Sequence, residues 1–203
     1  MDKQLRVLYA RVWDELCEGV RLSGHPFHTG VLGTIATDRD GTPAPELCTV
    51  VLREANRASG VLLAHTDVRS AKVARIQENP RVGWLSYNPQ SRLQVRFRAR
   101  ASIHQDDDRA ERRWNVSSLN ARRCYLCYPA PGTEADVPVS GLPPRLAHTH
   151  PTLVESESGR ENFAVVYMTV DEVETVELSA DGHRRAVFTV SSGDISYASW
   201  MVP

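Results

Sequence analysis

Hydrophobic and polar positions alternate along this chain with two periods, which separate its helices from its strands. Near the N-terminus, apolar residues recur every three or four positions, and this spacing predicts an amphipathic helix over residues 3–21. Residues 93–103 alternate strictly instead, with valine, phenylalanine and alanine on one face and mainly arginine on the other. That period of two is typical of a β-strand with one buried face.

Short apolar runs separated by turn residues predict a series of further strands. The predicted strands cover residues 30–37, 46–53, 61–64, 81–87, 93–103, 162–169, 173–178, 184–190 and 195–202. A short helix follows the third strand and stops at Asn79-Pro80, while glycines in 38–41 and 180–183 favour tight hairpin turns. Such short connections are typical of an antiparallel meander that curls into a barrel, so we predict a mainly β fold with flanking helices.

A segment without strand character, residues 106–161, interrupts this series. It opens with three aspartates that predict a helix N-terminus, and a second helical piece is predicted over 118–128. Residues 129–151 contain six of the 12 prolines and are predicted as a long loop that partly covers the active site or a partner subunit. The predicted organisation is one domain, 1–203, with an N-terminal helix (3–21), a barrel core (29–105), this helical and proline-rich insert (106–161) and C-terminal barrel strands (162–203).

Composition narrows the function classes. The 203 residues include 24 basic and 25 acidic side chains, so the net charge of −1 gives no general attraction to nucleic acid or to an anionic membrane. No apolar run approaches the ~20 residues of a membrane-spanning helix, and the N-terminus lacks the apolar core of a signal peptide. We therefore expect a soluble, cytoplasmic protein, and we expect the basic face of 93–103 to be solvated or paired with carboxylates.

The cysteines do not form the framework expected of a small secreted domain. Cys17 and Cys48 are predicted to be small buried residues. Cys124 and Cys127 form a C-x-x-C pair with two histidines downstream. The two histidines are closer together than in zinc fingers, and no second cysteine pair exists, so no metal site is predicted. The histidines predicted to be solvated in loops are His25, His28, His148 and His150.

The strongest candidate for chemistry is the junction between the strand at 61–64 and the helix after it. Thr66 or Asp67 is predicted to cap this helix, and Ser70 and Lys72 add a hydroxyl and an ammonium in its first turns. Free amides at a helix N-terminus favour an anion, and Arg53 adds a guanidinium suited to phosphate. From these residues alone two interpretations remain open: a phosphate site, or an ordinary capped helix with solvated basic residues.

Four motifs in a fixed order supply the missing context. They are Thr49-Val50-Val51-Leu52-Arg53, His65-Thr66-Asp67-x-x-Ser70-x-Lys72, Asn79-Pro80-Arg81-Val82 and Gln94-Val95-Arg96. Together they closely resemble the pyridoxamine 5'-phosphate oxidase-like family of FMN-binding split β-barrels. The resemblance covers roughly residues 31–103 and recurs faintly in the last forty or so. It implies a split β-barrel with flanking helices and a homodimer that binds FMN at the subunit interface.

The resemblance also implies which residues hold the cofactor. These residues are Val50, Val51, Leu52, Arg53, His65, Thr66, Ser70, Lys72 and Gln94. By resemblance the run from Val50 to Arg53 lines the flavin, largely through its backbone. His65 and Thr66 contact the ring or the ribityl chain, and Ser70 and Lys72 bind the 5'-phosphate. Gln94 reaches the flavin from the second subunit.

Several positions depart from the family pattern. Cys48 and Ala71 stand where the oxidase usually has arginines, so two cationic phosphate contacts are missing. Since a hydrogen bond to a charged group contributes about 1.5–3 kcal/mol, we expect weaker FMN binding unless Arg69 or Arg53 compensates. The oxidase's C-terminal Arg-Leu-x-Pro becomes Trp200-Met201-Val202-Pro203, which loses the substrate arginine.

These departures cluster on the substrate side. No clear counterpart of the oxidase's substrate-phosphate motif exists near residues 114–123, although Arg122, Arg123 and Tyr125 either project toward a substrate phosphate or face water. The leading hypothesis is an FMN-binding oxidoreductase that passes a hydride between a small substrate and flavin N5. The alternatives are a genuine pyridoxamine 5'-phosphate oxidase and a non-catalytic flavin- or haem-binding protein. No catalytic acid or base is predicted.

Overall fold

A computed structural model describes residues 2–203 as an eight-stranded antiparallel sheet flanked by helices. The α-helices are α1 Lys3–Arg21, α2 Ala71–Glu78, α3 Asp108–Val116, α4 Leu119–Arg122 and α5 Leu153–Glu157. The strands are β1 Thr29–Thr37, β2 Pro43–Asn56, β3 Val61–Asp67, β4 Arg81–Asn88, β5 Leu93–His104, β6 Phe163–Glu177, β7 Arg184–Ser191 and β8 Asp194–Met201. Short 3-10 turns cover Pro26–His28, Arg123–Leu126, Pro144–Ala147 and Arg160–Asn162.

The strands close into a barrel through one long strand. Their order is β3-β2-β1-β4-β5-β6-β7-β8, and β3 also pairs with β6, so β1 to β6 form a ring. The first half of β6 pairs with β3, from Phe163 opposite Asp67 to Thr169 opposite Val61. Its second half pairs with β7, which extends the sheet beyond the ring together with β8. The predicted barrel with flanking helices is confirmed.

β6 differs from the sequence prediction, which broke it into two runs. The break was placed at the polar positions Asp171 and Glu172, yet the strand continues through them. Both carboxylates face the arginines of neighbouring strands, with Arg81 Nη1 3.2 Å from Asp171 Oδ2 and Arg98 Nε 3.5 Å from Glu172 Oε1. Ion pairing across strands therefore accommodates within β6 two polar residues that, from the sequence alone, resemble a turn. It also confirms that the basic face of β5 is paired with carboxylates.

The strands next to the candidate site are also longer than predicted. β2 begins at Pro43 and runs to Asn56, whereas 46–53 was expected. β3 runs to Asp67 rather than Ala64, because its backbone keeps pairing with β6 through His65, Thr66 and Asp67. His65, Thr66 and Asp67, which were predicted to lie at a junction between a strand and a helix, are therefore part of the barrel wall.

Two hydrophobic clusters hold the fold together. The larger one fills the barrel and includes the apolar stripe of α1, with Trp13, Trp84 and Phe97 almost fully buried. The smaller cluster lies on the outer surface of β3 and β6, where Trp114 of α3 packs against Phe163. The insert therefore covers one side of the barrel instead of forming a separate core.

Three predictions about single side chains in the N-terminal region are wrong. Cys17 is exposed rather than buried. His25 and His28 are not solvated, because the loop folds back onto α1: His25 Nδ1 accepts from Phe27 N at 3.1 Å, and His28 Nδ1 lies 2.7 Å from the carbonyl of Gly19. A Cβ at Gly19 would lie 2.5 Å from the Phe27 carbonyl oxygen, so only glycine permits this approach. The histidines that are exposed as predicted are His148 and His150.

Among residues 2–203, no helix is both long and apolar enough to cross a membrane. The segment 129–151 has one short 3-10 turn and is largely exposed, with Leu146 buried as its anchor. Its residues Pro131 and Gly132 reach the cavity described below.

Candidate functional site

The start of α2 is arranged differently from the prediction. Ser70, and not Thr66 or Asp67, occupies the N-cap, and its side chain makes no capping hydrogen bond to the helix. Ser70 Oγ instead donates to the carbonyl of Asp67 at 2.7 Å. The predicted cap fails because strand pairing with β6 keeps the backbone extended through Asp67. The first amides of α2 therefore lack a side-chain acceptor and keep their preference for an anion.

Three polar side chains predicted to contact the cofactor do meet here. Thr66 Oγ1 and Ser70 Oγ are buried and lie 3.2 Å apart. Lys72 Nζ lies 3.2 Å from Ser70 Oγ and 3.4 Å from Thr66 Oγ1. Among the described residues, Lys72 has no carboxylate within ion-pair distance, so its ammonium has only hydroxyl partners. The ammonium and the uncapped helix amides form a donor set that suits a phosphate, while the Ser70 hydroxyl, now bound to the Asp67 carbonyl, lies beside them.

Ser70 and Lys72 border a cavity of about 220 Å³ between β2 and α2, whereas Thr66 lies behind them and does not line it. Its lining residues are Thr34, Glu46, Leu47, Cys48, Ser70, Ala71, Lys72, Arg75, Pro131 and Gly132. Cys48 and Ala71, where the family usually has arginines, both face this space, so their loss removes positive charge from it. Pro131 and Gly132 place the long loop at its rim, while the expectation that the loop partly covers the active site or a partner subunit stays a prediction.

Arg69 does not restore the missing charge. Its Nη2 lies 2.6 Å from Asp67 Oδ2, and its Nε lies 3.0 Å from Asp67 Oδ1. The same guanidinium donates to the carbonyls of Cys127 and Tyr128 at 3.0 Å and 3.2 Å. Arg69 thus ties the end of β3 to the start of the long loop, and its donors are already in use.

His65 and Arg53 form a second group, outside the lining of that cavity. The His65 ring packs edge-on against Phe163 with centroids 4.8 Å apart, and its Nε2 is buried without a partner among residues 2–203. Burial, assisted by the nearby Arg53 and Arg113, lowers the pKa of His65 from 6.5 to about 3. Arg113 also donates to the Arg53 carbonyl at 2.7 Å and pairs with Glu54 at 3.1 Å. His65 is consequently neutral near pH 7 and lies in a positively charged environment.

The other predicted cofactor residues divide between the two faces of the sheet. Leu52 is fully buried and Val50 packs against the barrel core, whereas Val51 and Arg53 alternate to the outer face. The flavin contacts through the backbone of β2 stay a prediction. Gln94 lies half-buried on the outer face of β5, opposite Tyr87, and does not line the cavity with Ser70 and Lys72.

A continuous apolar surface lies on the outside of the barrel, between the cavity beside Lys72 and Gln94. We call it the outer apolar face; its exposed members are Ile35, Leu47, Leu85 and Tyr87. Strand register joins them: Gly33 pairs with both Leu47 and Gly83, and Val31 pairs with Leu85. Leu47 is 69% exposed, which is unusual for a leucine in the middle of a long strand. The face runs from the cavity on β2 to Gln94 on β5.

The predicted substrate residues have structural contacts instead. Arg122 is 4% exposed, donates from Nε and Nη2 to the Trp114 carbonyl at 3.2 Å and 2.9 Å, and pairs through Nη1 with Glu157 at 2.5 Å. Tyr125 is buried between Trp114 and Phe163, and burial raises the pKa of its hydroxyl. Arg123 donates to the Leu146 carbonyl at 3.3 Å. Arg122 and Tyr125 neither project outward nor face water.

Four polar residues near the two groups were missed by the sequence analysis: Thr34, Glu46, Arg75 and Arg113. Arg75 could have been found, because it follows Ala71 by four residues and so lies on the same face of α2. Thr34 and Glu46 face each other in the β1–β2 hairpin, and Arg113 reaches β2 because α3 packs on the outside of the barrel, where it contacts Arg53 and Glu54. Across residues 2–203, no group of three metal-ligating side chains is assembled, and Cys124 and Cys127 are free thiols.

Comparison with known proteins places the site in context. Residues 11–105 match the family model described as pyridoxamine 5'-phosphate oxidase, FMN-binding domain, which confirms the predicted resemblance. No curated protein matches the sequence at a significant level. A pyridoxamine 5'-phosphate oxidase-related, FMN-binding protein from Nostoc punctiforme superposes with a TM-score of 0.70 at 22% identity, covering 96% of this chain and 96% of that chain.

Two further solved structures share the fold. PhzG from Burkholderia lata, in complex with tetrahydrophenazine-1-carboxylic acid, superposes with a TM-score of 0.63 at 14% identity, covering 98% of this chain and 92% of that chain. A protein related to general stress protein 26, from Clostridium acetobutylicum, gives a TM-score of 0.52 at 10% identity, with coverage of 91% and 98%. At these identities the similarity establishes the fold alone.

Proposed function

We propose that this chain, whose residues 11–105 match the FMN-binding domain model of pyridoxamine 5'-phosphate oxidase, binds FMN and acts as an oxidoreductase on a small substrate. The observation that carries the proposal is the Lys72 ammonium, which has only hydroxyl partners and lies beside the uncapped start of α2. An ammonium left without a carboxylate next to free amides is arranged for an anionic ligand. When bound, FMN supplies hydride transfer at its N5 atom.

Each residue of the site then has a distinct role. Lys72 and Ser70 bind the 5'-phosphate and fix the end of the cofactor, with the Ser70 hydroxyl turning from the Asp67 carbonyl to the ligand. The backbone of β2 around Val51 lines the flavin ring. His65, being neutral, offers its unpaired Nε2 to a polar group without adding charge. The long loop, through Pro131 and Gly132, limits the access of water to the phosphate end.

The outer apolar face supports a homodimer with the cofactor in its interface. Its exposed leucines and Tyr87 form a contiguous apolar surface of the kind that marks an association site. Gln94 lies at the β5 edge of this face and away from the cavity of its own chain. A two-fold contact through the face brings Gln94 of one subunit toward the flavin site of the other, as the family resemblance implies. The expected cytoplasmic location stays a prediction.

A second candidate function is the oxidation of pyridoxamine 5'-phosphate itself. Arg53 favours it, because its Nε is buried without a partner among the described residues and its guanidinium is free to bind a substrate phosphate. The contacts of Arg122 disfavour it, since this arginine is committed to Trp114 and Glu157. The substrate of the first proposal is therefore a small molecule other than pyridoxamine 5'-phosphate.

Turnover experiments separate these candidates. The FMN-loaded protein is mixed with pyridoxamine 5'-phosphate in air, and hydrogen peroxide and aldehyde product are measured. We expect no turnover, together with bleaching of the bound flavin by reduced nicotinamide cofactors or another small reductant under anaerobic conditions. Rapid peroxide release would establish the second candidate instead. A bound flavin that no reductant or substrate cycles would identify a non-catalytic binding protein.

A further inference from the structure

The phosphate end of the proposed site has too little positive charge. FMN carries a phosphate with close to two negative charges at neutral pH, and Lys72 is the only cation among the residues the resemblance assigns to it. Cys48 and Ala71 add none, and Arg69 is bound to Asp67 and to two loop carbonyls. Another residue must supply the missing contact if the phosphate is to be held well. This inference rests on the proposed function.

Arg75 is the cation that the fold brings to this place. It follows Ala71 by one helical turn on α2, and its side chain lines the same cavity as Ser70 and Lys72. The side chain is 28% exposed, so part of it is packed and part remains accessible. Its only ion-pair partner among residues 2–203 is Glu46 on β2, with Nη2 3.6 Å from Glu46 Oε1.

The pair with Glu46 is loose enough to be exchanged. At 3.6 Å it exceeds the distance of a normal hydrogen bond, and the Glu46 side chain is 48% exposed. Exposed pairs of this kind add little stability, so releasing Arg75 costs little. A guanidinium matches the oxygens of a phosphate better than a distant carboxylate, because it forms two parallel charge-assisted hydrogen bonds.

We propose that Arg75 is a phosphate-binding residue that replaces the absent family arginines, and that Glu46 competes with the phosphate for it. In the free protein Glu46 holds Arg75 at the wall of the cavity. On binding, Arg75 turns from the carboxylate to the cofactor phosphate, while Glu46 remains close enough to repel it. Glu46 therefore weakens the affinity for FMN, although it lies in the binding cavity.

The test compares two ligands that differ only in the phosphate. The dissociation constants of FMN and of riboflavin are measured by fluorescence quenching for the unmodified protein, Arg75→Gln and Glu46→Gln. We expect Arg75→Gln to weaken FMN binding by about tenfold to a hundredfold and to leave riboflavin unchanged. Glu46→Gln should tighten FMN binding severalfold, again without an effect on riboflavin. Arg112→Gln, an exposed arginine on α3, is the matched control and should change neither constant.

The outcomes distinguish this inference from the proposed function. If the unmodified protein binds FMN and Arg75→Gln does not change the constant, or weakens both ligands equally, the role of Arg75 is refuted and the proposed function stands. Weaker FMN binding by Glu46→Gln would refute the competition. If the unmodified protein binds neither ligand, both proposals fail. Thermal unfolding of each variant verifies that it is folded. Because Arg75 and Glu46 are both partly exposed, we expect no large change in the unfolding temperature.

Discussion

At the scale of single residues, the central feature is a half-buried lysine whose ammonium contacts two hydroxyls and no carboxylate. Lys72 Nζ contacts only the hydroxyls of Ser70 and Thr66, although aspartates and glutamates are as frequent in this chain as basic residues. Such an arrangement is stable only because the ammonium keeps some contact with water or with a ligand. In this protein we assign that ligand to the phosphate of FMN.

Replacing Lys72 tests this assignment. We expect Lys72→Ala to raise the dissociation constant of FMN by about tenfold to a hundredfold, because one charge-assisted hydrogen bond is lost. Riboflavin, which lacks the phosphate, should bind both proteins equally. Lys72→Arg should recover part of the affinity. An equal loss for both ligands would mean that Lys72 supports the fold of the site rather than the phosphate.

His65 makes a prediction about pH. Its pKa is about 3 in the folded protein and 6.5 when exposed, so the unfolded chain binds an extra proton between these values. Stability contributed by neutral His65 is therefore complete above pH 6.5 and is lost progressively as the pH falls toward 3.

Urea unfolding at a series of pH values measures this effect. The stability of the unmodified protein should fall more steeply on acidification than that of His65→Gln, which cannot take up the proton. Carboxylates contribute equally to both proteins, so the difference between the two curves isolates His65. Parallel curves would show that His65 is not buried in a neutral form.

The sequence predicts which site residues lie together when they are close along the chain, and it fails when they belong to distant elements. Ser70 and Lys72 were predicted to lie together, and the structure brings them to 3.2 Å, because both lie within one helical turn of the same N-terminus. Arg75 lies on the same helix, but Glu46 is on β2, and nothing in the sequence indicates that the two share a cavity. The cap was misplaced for a similar reason, since pairing with β6, almost a hundred residues away, extends β3 to Asp67.

At the scale of elements, the insert is fastened to the barrel by buried polar contacts. Arg122 of α4 joins the C-terminal end of α3 to α5 through Trp114 and Glu157, and its guanidinium carbon lies 4.5 Å from the centre of the Trp114 ring. From the sequence this arginine looked like a candidate for substrate phosphate. Burial, which no local pattern revealed, gives it a structural role.

The two roles predict different results for Arg122→Ala. We expect a loss of about 2–3 kcal/mol in the free energy of unfolding, because a buried carbonyl and a half-exposed carboxylate lose their partner. The affinity for FMN should be unchanged in the folded fraction. Arg112→Ala, whose ion pair with Asp108 is exposed, should change stability by less than about 0.5 kcal/mol. Unchanged stability with loss of turnover would instead restore the substrate role.

The strands illustrate the same limit in a different way. Alternation predicted the existence of nearly every strand, and the turns at Gly41 and Gly182 have the positive φ that glycine permits. The continuity of β6 was missed, because Asp171 and Glu172 look like a break until the arginines of β4 and β5 are placed opposite them. The periodicity of apolar residues along one strand does not predict which charged residues of other strands will lie opposite it.

At the scale of the whole molecule, the outer apolar face is the surface through which we propose that two copies of the chain associate. Leu47, at the β2 end of this face, borders the cavity and is 69% exposed, so the proposed dimer would bury it and enclose the cofactor. Introducing a charge there should prevent association, because an unpaired carboxylate in an apolar interface is costly.

Leu47→Glu therefore should be a monomer in analytical ultracentrifugation, whereas the unmodified protein should be a dimer. FMN binding should weaken in the same variant, since Gln94 of the partner no longer reaches the site. Val154→Glu is the control: Val154 is also exposed, at 83%, but lies on α5 away from this face, and the variant should remain dimeric. A monomeric unmodified protein would refute the shared site.

The most direct measurement of the central claim is a titration of the purified protein with FMN, preceded by its visible absorption spectrum. We predict a flavin spectrum, or quenching of added FMN at micromolar concentration, with one FMN bound per chain and riboflavin bound more weakly. A colourless protein that leaves FMN fluorescence unchanged would contradict the account. The fold would stand, but the losses at Cys48 and Ala71 would then have abolished the site, and the oxidoreductase proposal would have to be abandoned.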